Sequence, residues 1–464
     1  MAHHTEIPIR VDAFLRLDDR LLDDRTRRLL ESALDVRNPD DPMQFVPMLR
    51  RDTDGLLTIP RGFAYKLAKG LEQCGYKAVW DDRRVEAPID LNVEISDEYR
   101  PRDYQAVAIE RMLACEQGIY EAPPGAGKTI TAAHFIARAS QRTLVIVDRI
   151  NIATQWIERL RSVLGDWMTV GLIGEGSWSE GDITVALRQA LWRRKDDLDA
   201  RNWWCQFGAV ILDECHAVSA ETVRELFQRF PAKYRIGLSA TPDRFMWMTI
   251  ASRGIIGEII CRTTDNMLEK AGVLVRPQVI AVRTPFEFPW KANARDKRRQ
   301  WQKMIKELKV HGGRNTVIAK IMASCRGHTC LAHTDQKSHA HELAAWAMAH
   351  GWPRDRVMMM TGDESGAERA KIVEAANDGD ILIISTVGQE ALDIPRLDRF
   401  FLVWPTRQPL PVRQMVGRVK RVHSEKAPPI VYDFYDDKVT VLRDQFAVRR
   451  GTYERDHLDL RIIG

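Results

Sequence analysis

The chain has 464 residues, 45% of them apolar and 29% charged, enough for two or three packed domains and too apolar for disorder to dominate. No apolar run approaches the ~20 residues a membrane-spanning helix needs, and the segment "MAHHTEIPIRVDAFLRLDDR" lacks the apolar stretch of a signal peptide. The net charge of +5 is uneven: residues 1–95 hold 15 Lys+Arg against 18 Asp+Glu, so the remainder carries +8 and is where a polyanion surface is expected.

In chain order, the first ~95 residues read as a separate module of unassigned fold. "YEAPPGAGKTITAAHF" (120–135) then bends the backbone with prolines and glycines directly before a lysine and a helix-prone run. Beyond it, "RTLVIVD" (142–148), "DITVAL" and "FGAVILDE" are near-continuous apolar strands alternating with helix-like segments such as "NIATQWIERLRSVL", the signature of a parallel α/β sheet. The alternation returns in "TCLAHTD" (329–335), "DILIIST" (380–386) and "RFFLVWP" (399–405), so two α/β domains in tandem are predicted. Between them, residues 291–314 hold nine Lys/Arg against Asp296 and Glu307, a basic, helix-prone connector. The seven cysteines show no CxxC or zinc spacing, which fits reduced thiols that bind no metal.

The glycine-rich stretch has a physical purpose. Glycines let successive N–H groups converge on one anion, the following helix adds its positive end, and a lysine just inside reaches phosphate. Those roles fall to Ala122, Pro123, Pro124, Gly125, Ala126 and Gly127 for the cradle, Lys128 for charge and Thr129 for a magnesium ion. Ala122 stands where the full pattern GxxxxGK[ST] has its first glycine. "AVILDECHAV" places Asp213 and Glu214 at the end of an apolar strand. The first can hold Mg2+ and the second can act as base toward an attacking water. Loop and acids together predict a nucleoside triphosphatase.

These residues resemble superfamily 2 helicases over about residues 98–450. The resemblance implies that Gln105 reads the adenine edge. It implies that Arg149 in "VIVDRINIATQW", and Thr184 and Gln189 in "ITVALRQAL", meet a nucleic-acid backbone. "DECH" with His216, and "GLSATPDR" with Ser239, Ala240 and Thr241, would couple the ATP site to the strand. "ISTVGQEALDIPRLD" would supply Thr386 to the nucleic acid and Asp393 to the nucleotide site, although Ala391 replaces that motif's usual glycine. "QMVGRVKR" would supply Gln414, Arg418 and Arg421 to catalysis; the two arginines are three apart on an expected helix and so share a face. "AKYRIGLSATPDR", "GVLVRPQ" and "VYDFYDD" look most like the phage UvsW and XPB-like DNA branch. "LTIPRGFAYKLAKGL" looks like the segment that precedes the motor in such relatives.

The expectation is therefore an α/β protein with two RecA-like domains in tandem and a small N-terminal accessory domain. The expected bounds are 1–96 for the accessory domain, 97–265 for the first motor domain, 266–314 for the connector and 315–464 for the second motor domain. Its activity would be that of an ATP- and Mg2+-dependent DNA helicase or translocase, cytoplasmic in a bacterial or phage-infected cell. An RNA helicase, the motor of a nuclease or restriction complex, and a catalytically silent nucleic-acid-binding module are the alternatives. Lys297, Arg298 and Arg299 in the connector are candidate DNA contacts, and Trp192, beside Arg193, Arg194 and Lys195, is a candidate for base stacking.

Overall fold

Aliphatic and β-branched runs build three main sheets in two units, Met1–Thr264 and Asp265–Gly464. The computed structural model describes the chain apart from residues 1–4, 35, 39–40, 47, 91–94, 166–167, 216–220, 241–252, 292–295, 388–393 and 408, and apart from the side chains of residues 36–38, 41–46, 221, 366, 409–411 and 413–414.

The N-terminal strands are β1 (Thr5–Val11), β2 (Phe14–Leu17), β3 (Val36–Asn38), β4 (Asp41–Val46), β5 (Arg50–Arg51), β6 (Leu57–Pro60) and β7 (Tyr76–Asp82). Five of them form a sheet in the order β5-β6-β2-β1-β7, parallel only between β1 and β7, while β3 and β4 pair with each other. Next come β8 (Gln117–Glu121), β9 (Thr143–Val147), β10 (Val170–Gly174), β11 (Ser177–Trp178), β12 (Ile183–Leu187), β13 (Ala209–Leu212), β14 (Tyr234–Ser239) and β15 (Ile259–Arg262). They run β11-β10-β12-β9-β13-β14-β8-β15, all parallel except β10 with β11. Every residue of β9 and β13 is buried, as a sheet covered on both faces requires.

The N-terminal module shares its core with this second sheet. Ile7, Ile59 and Leu67 belong to one apolar cluster with Ile119, Phe230 and Ile255. "RGF" within the stretch noted above is the plug. Arg61 is 2% exposed and donates to Gln117 Oε1 at 2.5 Å and to the carbonyls of Ala232 and Lys233 at 2.8 and 3.2 Å. A Cβ on Gly62 would lie 2.1 Å from the Arg253 carbonyl, and one on Gly254 would lie 2.4 Å from the Phe63 ring, so both positions need glycine. From the other side Arg235 donates to the carbonyls of Ala13 and Ile255, each at 2.9 Å. Burial lowers the Arg235 pKa to about 9 and that of Arg61 well below its usual range. Gln117 and Arg235 lie at the starts of β8 and β14, so the module docks at the opposite end of these strands from the loops that follow Glu121 and Ser239.

The second unit contains β16 (Gln278–Arg283), β17 (Thr329–His333), β18 (Val357–Met360), β19 (Ile381–Ser385), β20 (Arg399–Leu402), β21 (Ile430–Tyr435) and β22 (Asp459–Ile463). Their order is β18-β19-β17-β20-β21-β16-β22, all parallel. β16 lies within the stretch expected as connector, yet it sits inside the sheet between β21 and β22. The helix Lys297–Val310 is likewise part of this unit: Met304, Ile305 and Leu308 pack with Phe286, Phe288, Trp404 and Leu442, leaving Lys297, Arg298 and Arg299 exposed. No described helix is long and apolar enough to cross a membrane.

Candidate active site

The phosphate loop connects β8 to the helix Lys128–Ala139. Gly125 and Gly127 take φ of 86° and 76°, left-handed conformations that glycine adopts without a Cβ penalty. The N–H groups of Gly125, Gly127, Lys128, Thr129 and Ile130 donate to no acceptor among the described residues, leaving five donors at a helix N-terminus. Lys128 Nζ donates to the Ala122 carbonyl at 3.1 Å. Tyr104 Oη and Gln105 Nε2 each donate to the Ala126 carbonyl at 3.1 Å, and Gln105 Oε1 accepts from Arg102 N at 2.9 Å. The Gln105 amide is thus turned onto the loop. A Cβ on Gly127 would lie 2.6 Å from its Nε2.

Because β13, β14 and β8 are neighbours, Asp213 and Glu214, Ser239 and Ala240, and the loop all emerge side by side from one edge of the sheet. The Ala122 N–H donates to the Ser239 carbonyl at 2.9 Å, tying the loop to the strand between it and the acids. Asp213 Oδ2 accepts from Trp156 Nε1 at 2.8 Å, and Oδ1 accepts from Glu214 N at 2.9 Å. Burial and the Glu214 charge push the Asp213 pKa up, opposed by the indole bond and by Lys128. Glu214 sits at φ 47°, a strained backbone for a residue with a Cβ. Behind it, Cys215 is buried, and a Cβ on Gly237 would lie 2.9 Å from its Sγ. The Thr129 hydroxyl and the Asp213 carboxylate are the hard oxygen donors Mg2+ takes. The described residues hold no cluster of three or more His, Cys, Asp or Glu that could bind a metal, so this donor set fits an ion that leans on phosphate and water.

Two expected residues are placed differently by the structure. Thr184 is fully buried in β12, its hydroxyl accepting from Gly181 N at 3.2 Å; a central parallel strand has no solvent face, so this side chain cannot meet a nucleic acid. Arg421 does not share a helix face with Arg418. The helix Pro409–Val419 ends first, Arg421 forms an antiparallel bridge with Leu274, and Lys426 Nζ caps the Val419 and Arg421 carbonyls at 2.7 and 2.8 Å. Lys420, between the two arginines, donates to Asp265 Oδ2 at 2.5 Å. Arg149 and Gln189 are exposed. The Thr386 hydroxyl donates to the Thr361 carbonyl at 3.1 Å. Trp192 packs against the core, with the Lys195 ammonium 5.1 Å from its ring centroid. His216, Thr241, Ala391, Asp393 and the Gln414 side chain lie outside the described residues.

Sequence reasoning missed Trp156 and Tyr104. Trp156 could have been found on the buried stripe Ala153, Trp156, Leu160 and Leu164, where an indole N–H must find an acceptor.

A phosphate loop and an acid pair on one parallel sheet, with a second parallel sheet following, are what tandem RecA-like nucleotide-hydrolysing domains present. Residues 98–244 match the family described as Type III restriction enzyme, res subunit, and residues 313–423 match the helicase conserved C-terminal domain. The chain is 36% identical over 150 residues to the DNA 3'-5' translocase XPB2 of Sulfurisphaera tokodaii, covering 32% of this chain and 33% of that one. It is 23% identical over 408 residues to the ATP-dependent DNA helicase uvsW of Enterobacteria phage T4, covering 82% and 79%. A solved structure of the type ISP restriction-modification enzyme LlaBIII shares the fold, with a TM-score of 0.58 at 16% identity over 86% of this chain and 34% of that one. By these matches the chain is similar to superfamily 2 helicases of the XPB/UvsW type. It spans between a third and about three fifths of the length of the first curated relatives it matches.

Proposed function

We propose that this chain is an ATP-dependent DNA helicase or translocase acting on branched or duplex DNA in the cytoplasm of a bacterial or phage-infected cell. The observation that carries the reading is the juxtaposition of the loop's N–H donors, which meet no acceptor among the described residues, and Lys128 with Asp213 and Glu214 on one edge of a parallel sheet. The loop donors and Lys128 hold the phosphates, and Gln105, anchored to the loop, faces the base. Thr129 and Asp213 would hold Mg2+, which when bound neutralises phosphate charge. Glu214 takes the proton of the attacking water. The resemblance assigns Arg418 and Arg421 the part of cationic fingers, a contribution worth roughly 10³–10⁵ in rate in phosphoryl-transfer enzymes. Exposed Arg149 and Gln189, together with Thr386 and the basic face at Lys297, Arg298 and Arg299, contact the DNA backbone without reading sequence.

The test is ATPase rate against single-stranded DNA, duplex, forked DNA and RNA. DNA is expected to stimulate most, Lys128→Ala to abolish turnover, and Glu214→Gln to keep nucleotide binding while stopping turnover. Stimulation by RNA above every DNA would reassign the substrate, and near-normal turnover by Lys128→Ala would remove the site.

A further inference from the structure

We infer that Trp156 is a positioning residue for Mg2+ binding: its indole N–H fixes the plane of the Asp213 carboxylate, an assignment that rests on the ATP-driven reading above. Trp156 is 2% exposed on the helix Ile150–Leu164 and reaches Asp213 Oδ2 at 2.8 Å, while the Glu214 N–H takes Oδ1 at 2.9 Å. With one donor on each oxygen, turning the carboxylate breaks both bonds, and each oxygen keeps lone-pair capacity for a metal or its water.

The competing account is that Trp156 fills the core and its N–H merely needs an acceptor. Other indoles here do pair with acids: Trp203 donates to Glu180 at 2.8 Å and Trp204 to Asp199 at 2.5 Å. Those acids also face arginines, Arg142 at 3.2 Å from Glu180 and Arg229 at 3.1 Å from Asp199. Among the described residues Asp213 has no such ion pair: Lys128 acts on it only through space, and the two N–H donors are its hydrogen-bond partners. A purely apolar ring such as phenylalanine would fill most of that space without bringing a polar atom that needs an acceptor.

The experiment uses the full chain, a fluorescent ADP analogue, and Mg2+ added or chelated. Trp156→Phe should leave the Mg2+-free affinity within about twofold and shrink the Mg2+-dependent gain in affinity about tenfold, the lower end for residues that orient a metal ligand. On an Asp213→Asn background the same substitution should change nothing further. A full Mg2+-dependent gain in Trp156→Phe overturns the inference, as does an equal loss on the Asp213→Asn background. Should Trp156→Phe fail to fold, 5-fluorotryptophan-labelled protein serves: one fluorine resonance should respond to Mg2+ with ADP in the wild type and not in Asp213→Asn. No such difference also overturns it. If the wild-type chain binds no adenine nucleotide at all, the ATP-driven reading itself falls, a result that does not depend on the indole bond.

Discussion

Replacing Gly127 with alanine should damage nucleotide binding through two separable costs. The backbone at Gly127 has φ 76°, where an L-residue costs roughly 1–2 kcal/mol. The new Cβ would also lie 2.6 Å from Gln105 Nε2, so that amide must swing away. Gln105 then loses its bond to the Ala126 carbonyl at 3.1 Å and the one it accepts from Arg102 N at 2.9 Å, about 1 kcal/mol each. Gly55 supplies the control: its φ is also 76°, and a Cβ there meets nothing within 4 Å. Gly55→Ala should therefore show the backbone cost alone. If the loop of Gly127→Ala relaxes in the free protein, about 3 kcal/mol must be supplied whenever nucleotide restores the cradle, a loss of roughly 100-fold in affinity. Titration with a fluorescent ADP analogue and urea unfolding of both variants measure the two costs. Wild-type affinity in Gly127→Ala, with the unfolding free energy of Gly55→Ala, would show that the Gln105 contact does not hold the loop.

Burial lowers the His339 pKa from 6.5 to about 3, so below pH 6.5 the unfolded chain binds a proton that the native state refuses. Stability should fall by about 2 kcal/mol between pH 7 and 5 from this group, and His339→Gln should flatten that slope in urea unfolding; an unchanged slope would reassign it. Deleting residues 1–96 should bare Ile119, Phe230 and Ile255, lowering the melting temperature and raising hydrophobic-dye binding, whereas wild-type melting would mean that the core is not shared. Neutralising Lys297, Arg298 and Arg299 together should weaken DNA binding and flatten its salt dependence with basal ATPase intact; an unchanged salt slope would leave that face merely solvated. Thr184→Val should leave DNA affinity within about twofold, because a side chain with no exposed surface has no phosphate to lose; a tenfold loss measured by fluorescence anisotropy would argue otherwise.

The strands were legible where burial on both faces writes continuous apolar runs, as in Thr143–Val147 and Ala209–Leu212. The phosphate loop was legible because its conformation needs glycine at particular places. β16 was missed because six residues beside a strongly basic segment read as its margin. Thr184 misled because the motif resemblance singles it out although it lies within "DITVAL", itself an apolar strand, and the sheet order shows β12 between β10 and β9. Arg421 misled because spacing of three implies a shared face only while the helix continues, and the bridge to Leu274 follows from tertiary pairing. The docking of the N-terminal module was invisible for a related reason. No pattern announces that Arg61 and Arg235 will be buried against carbonyls.

That docking makes the module a built-in handle. A dye or bead attached at Tyr65, which is 75% exposed, reports on the body that carries the phosphate loop while sitting at the far end of its strands. Single-molecule measurements can therefore follow the first unit through a catalytic cycle without touching a residue near the nucleotide. A pulling force applied there enters β8 and β14 at Gln117 and Arg235, the same two strands whose other ends lead to the loop and Ser239.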